Sequence, residues 1–87
     1  MSITAHKPLV QRVLRWYAKD GSDFVGEKVL HNVNLQNLQH LFRIGLDNPM
    51  YECYPIDSFE QENYVEQTFN LKLNTEAYDY FMECDAI

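Results

Sequence analysis

At 87 residues the chain has room for one domain, and its 13 acidic and 7 basic side chains give a formal net charge of −6. No apolar run approaches the ~18 residues that a bilayer crossing needs, and the N-terminal MSITAHKPLVQR lacks the apolar core of a secretory signal, so the expected place is the cytoplasm, away from membranes. Residues 1–44 hold six bases against three acids and residues 45–87 hold ten acids against Lys72 alone, a balance that argues against nucleic acid, which needs clustered Lys and Arg, and suits a basic protein partner.

Residues 1–8 end at Pro8 without periodicity and read as a flexible lead-in to a domain over residues 9–87. From Leu9 to Ala18 the alternation of Leu14 and Trp16 with Val13, Arg15 and Tyr17 predicts a strand. KDGSD then supplies a turn in which Gly21 can take a positive φ. FVGEKVLH returns as the second strand of a hairpin, with Phe24, Gly26 and Leu30 on one parity and Val25, Glu27 and Val29 on the other. The period then changes. Leu35, Leu38, Leu41 and Phe42 form a helical stripe, with Asn34 placed to cap its start and Gly45 to close its end.

LDNPM reads as a turn, and YECYPI as a short strand near a sheet edge, because Pro55 has no N–H to give to a ladder. Ser58 and Gln61 have the spacing of a capping box and open a second, acidic helix over about residues 59–69. NLKLNTEAYDYFMEC closes the chain as extended structure, with Tyr78, Tyr80 and Met82 opposite Asp79, Phe81 and Glu83. This order, without long helical crossovers, predicts an α+β domain: a mainly antiparallel four-stranded sheet with one or two short helices.

No catalytic constellation is visible. His6, His31 and His40 stand in no triad or metal-binding spacing, the three glycines are too scattered for a phosphate loop, and no base adjoins Cys53 to activate its thiol. Cys53 and Cys84 are expected to be reduced, since two thiols in a cytosolic chain rarely pair. The expectation is a protein that is not an enzyme and takes no metal and no cofactor. The aromatic rings and acids of WYAKDGSDFVGE leave two readings open: rings tucked beneath the turn, or rings left for a partner to cover.

Taken in order, the motifs resemble the immunity proteins of cloacin and of the E-group colicins that are ribosomal ribonucleases. In that family W-F-D-K precedes the turn and D-F-K-G-E follows it; Trp16-Tyr17-Ala18-Lys19 and Asp23-Phe24-Val25-Gly26-Glu27 hold those places here. The family's D-N and G-C-F resemble Asp47-Asn48 and Glu52-Cys53-Tyr54, and its E-Y-F resembles Asp79-Tyr80-Phe81. The resemblance implies an acidic inhibitor that binds the basic nuclease domain of a cognate bacterial toxin and blocks its access to ribosomal RNA. It implies interface aromatics at Tyr17, Phe24 and Phe81 and a specificity cysteine at Cys53; with Asp23, Glu27 and Tyr80 these make the expected toxin-binding set, and the oligomeric state stays open between monomer and weak dimer. The alternatives are the same fold serving a polymorphic or contact-dependent toxin, and an acidic adaptor with no toxin partner.

Overall fold

The computed structural model describes residues 9–20 and 23–87; the expected lead-in over residues 1–8 and the expected positive φ at Gly21 lie outside them. Alternating apolar positions form β1 (Val10–Ala18) and β2 (Phe24–Leu30), joined as a hairpin in which the Ala18 N–H donates to the Asp23 carbonyl at 2.9 Å. The leucine stripe forms α1 (Leu35–Phe42), followed by β3 (Tyr54–Ile56), α2 (Phe59–Phe69) and β4 (Tyr78–Ala86). The four strands make one antiparallel sheet in the order β2-β1-β4-β3, so the fold is α+β with the first and last strands at its centre.

Period-2 alternation assigns each side chain a face. Leu14, Leu30, Ile56, Tyr80 and Met82 point to the side where Leu38 of α1 and Val65 of α2 complete the buried core, with Met50 from the intervening loop. The second face carries no helix among the described residues. On that second face Val13 of the central strand β1 is fully buried as well, with Val29 and Glu83 as its cross-strand neighbours.

Both helix starts follow their caps. The Asn34 side chain accepts the Asn37 N–H at 3.0 Å, and Ser58 and Gln61 form a reciprocal box in which the Ser58 hydroxyl accepts the Gln61 N–H and the Gln61 side chain accepts the Ser58 N–H. Ser58→Ala should lower stability by about 1 kcal/mol, read as a lower urea midpoint at unchanged slope.

Three expectations are corrected here. α1 is closed by Arg43, not Gly45: Arg43 takes the left-handed conformation at φ 57°, and Ile44, turning back onto the core, donates its N–H to the Gln39 carbonyl at 2.8 Å. β3 keeps only three residues of YECYPI, because Met50 at φ 57° redirects the chain to bury its own side chain in the core. Its Pro55 does lie on an edge strand. β4 starts only at Tyr78, since Asn70 leaves α2 at φ 55° and the amides of Ala77 and Tyr78 turn back to the Asn74 carbonyl. Leu71 and Leu73 pack on the core from that loop, not from a strand.

Candidate functional site

The second face of the sheet gathers most of the chemistry-bearing side chains. Its key is an irregularity in the β1–β2 ladder: Trp16 lies opposite Gly26, but Tyr17 lies opposite Phe24, so Val25 is an extra residue. The bulge moves Phe24 off the parity of Gly26 and Leu30 and onto the face of Tyr17. This corrects the uninterrupted alternation read from FVGEKVLH. Tyr17 then meets Phe24 edge-on at 5.9 Å between ring centroids and Phe81 of β4 at 5.6 Å, making a row of three rings across three strands. Phe24 is 55% exposed, and Tyr17 and Phe81 are half-buried.

Acids surround the row. The Arg15 guanidinium, 18% exposed, donates from Nε to Glu27 at 2.8 Å, from one terminal nitrogen to Glu83 and Asp85 at 2.9 Å each, and from the other to Asp85 at 2.5 Å. One cation therefore ties together carboxylates from β2 and β4. The Tyr17 hydroxyl donates to Glu83 at 2.9 Å, and Lys19 pairs with Asp79 at 2.8 Å. Two cations thus face the four carboxylates of Glu27, Asp79, Glu83 and Asp85, which leaves the patch at −2.

The proton affinities follow from these contacts. The Arg15 hydrogen bond holds the Asp85 carboxyl below the usual aspartate range, and the hydrogen bonds from Asp85, Glu27 and Glu83 hold the Arg15 proton still more firmly. Burial raises Tyr17, with the Glu83 carboxylate adding to the shift. Cys53 is exposed as a residue, but its Sγ lies 3.5 Å from Glu83 Oε2; burial of the thiol and the Glu83 charge push it up to about 11. Such a thiol is a poor nucleophile at neutral pH. In a Cys84→Ser background, Cys53 should react with an aromatic disulfide at pH 8 about tenfold more slowly than a free thiol, a loss of thiolate being partly offset by its higher intrinsic reactivity.

Of the residues expected to bind a partner, Tyr17, Phe24, Glu27, Cys53 and Phe81 come together on this face, and Asp23 sits exposed at its hairpin end. Tyr80 does not. It is 7% exposed on the opposite face, 5.5 Å from Trp16 and bonded through its hydroxyl to the Asn74 N–H, because consecutive strand residues point to opposite sides. Arg15, Glu83 and Asp85 were missed by the sequence reading. The available signal was an arginine inside an apolar strand together with two acids of one parity, Glu83 and Asp85, in the terminal strand.

Other chemistry is sparse. Both cysteines are free thiols, and among the described residues no three His, Cys, Asp or Glu converge as a metal site. No helix among those residues is long and apolar enough to cross a membrane.

A family model described as a domain of unknown function, DUF7683, matches residues 11–83, from the start of β1 well into β4. The chain belongs to the DUF7683 family. The matched stretch includes Arg15, the three rings, Cys53 and Glu83, so the DUF7683 match takes in nearly the whole face and stops just short of Asp85. No curated protein matches the chain.

Proposed function

We propose that the protein is an immunity-type inhibitor whose ring-bearing sheet face covers the basic nuclease domain of a bacterial toxin. The observation that carries this reading is the row Phe24, Tyr17 and Phe81 on a sheet face free of helices, held within an acid-rich, Arg15-tied ring of side chains. Exposed aromatic rings supply contact energy at low entropic cost, and excess carboxylates steer a cationic partner. The resemblance of the motif order to the ribonuclease-colicin immunity proteins supplies the kind of partner: a basic domain whose substrate, RNA, is excluded by an acidic surface laid over or beside its active centre. No catalysis by the inhibitor is needed for this, and the raised Cys53 thiol fits a contact residue better than a nucleophile.

The test is co-expression with the nuclease domain of a ribonuclease-type colicin or cloacin, and with a basic C-terminal toxin domain from the neighbouring reading frame where sequencing finds one. Protection of the cells, and an association rate that falls steeply from low to physiological salt, where the Debye length is ~8 Å, are expected. Cells that die despite a folded, abundant inhibitor would dispose of the toxin reading. A salt-independent association rate would remove electrostatic steering from it.

A further inference from the structure

The core side of the sheet has a second feature, unrelated to the docking face. A cavity of about 270 Å³ opens between β2 and the loop that follows α2, lined by Trp16, Tyr78, Tyr80, Leu71, Leu73 and Asn74 together with Lys28 and Lys72. Lys72 is the single base among residues 45–87, yet the fold brings it to the same cavity as Lys28 from the other half of the chain. No Asp or Glu lines the cavity. Neither lysine forms an ion pair, since the pairs among the described residues all belong to Arg15 and Lys19, and residues 1–8 and 21–22 contain no acid. In a protein of net charge −6, two unpaired cations at one acid-free cavity are a departure from the surrounding field.

The walls are fixed. Trp16 lies flat against Gly26, where a Cβ would stand 2.7 Å from the indole Cζ2, so only glycine lets the ring cross β2 and form the cavity wall. Tyr80 braces the indole at 5.5 Å and holds the loop by accepting the Asn74 N–H at 2.9 Å. The loop is tied a second time where Leu73 donates its N–H to Glu66 at 2.8 Å, which occupies one oxygen of the nearby carboxylate. A pre-formed apolar recess with aromatic walls and two cations at its edge has the make-up of a small-ligand site.

We propose that this cavity binds a small planar aromatic anion, its ring against Trp16 and Tyr78 and its carboxylate or equivalent group between Lys28 and Lys72. Aromatic walls select the flat ring, and the two ammonium groups distinguish an acid from its neutral analogue. Two solvent-exposed cations together give a preference of about tenfold.

Trp16 is the sole tryptophan, so its indole N–H gives one resonance that reports on this wall alone. The experiment titrates the isotope-labelled full chain with 1-naphthoate and, separately, with the neutral 1-naphthalenemethanol. The expected result is a saturable shift of the indole resonance with 1-naphthoate, at a dissociation constant near or below about 1 mM, and binding of the alcohol about tenfold weaker. In a Lys28→Gln, Lys72→Gln double variant, both positions being exposed, the melting midpoint should hold while the preference for the acid disappears. Equal affinity for acid and alcohol, a preference that survives in the double variant, or no saturation by roughly 10 mM acid would each overturn the proposal.

Discussion

Arg15→Met should lose about 2 kcal/mol of stability at pH 7, a fall of about 10 °C in melting midpoint for a chain of this size, although no partner is present to be lost. The guanidinium is mostly covered and contacts three carboxylates, so its removal leaves Glu27, Glu83 and Asp85 facing one another with no cation between them. Methionine keeps much of the stem volume, which isolates the charge effect from packing. The deficit should depend on pH in a defined direction. Asp85 has a depressed folded-state pKa, so its contribution is present above the unfolded value near ~3.9 and is lost as pH falls through the folded value. The raised Arg15 pKa adds no pH dependence below about 12, because the group is protonated in both states there.

Wild type should therefore lose stability between about pH 5 and pH 2 more steeply than the variant, whose carboxylates gain relief from repulsion as they protonate. Urea midpoints at pH 7 and pH 3 provide the measurement. A gap between wild type and variant that is the same at both pH values would assign the loss to the arginine stem, and the patch would then be a set of incidental surface contacts.

The fold was legible in the sequence wherever a local period or cap determines structure. β1, α1 with Asn34, the Ser58 box and the alternation of β4 are of this kind, and the edge position of β3 follows from Pro55 alone. The face was legible only in part. Its members come from β1, β2 and β4, and Arg15 reaches partners 12, 68 and 70 residues away, separations at which no local pattern speaks. The bulge at Val25 left only an ambiguous mark: Phe24 and Val25 are both apolar and Gly26 follows them, so the local pattern does not say which residue is extra, and only pairing against Trp16 and Tyr17 shows it. Tyr80 is a different kind of error. The alternation of YDYFME already set Tyr80 with Met82 and against Phe81, and the expected toxin-binding set put both neighbours on one surface that a strand cannot give them.

The bulge decides the outcome at Phe24, where replacement by alanine should cost a complex far more than it costs the fold. A fully buried phenylalanine removed from a thin core would lose ~3–5 kcal/mol, enough to unfold a domain of this size. Phe24 is instead 55% exposed and contributes an edge-on contact with Tyr17, so its removal should lower stability by about 1 kcal/mol or less. At the centre of an interface the same ring is worth about 2 kcal/mol or more, around thirtyfold in dissociation constant, most of it in the dissociation rate. Phe81→Ala is the instructive companion, because Phe81 is half-buried beside Tyr17 and should weaken both fold and complex. Denaturant melts and dissociation kinetics against the proposed toxin domain separate the two effects. If Phe24→Ala lowers the melting midpoint sharply while the complex dissociates at the wild-type rate, the rings belong to the packing of the sheet and the proposed docking role of this face is wrong.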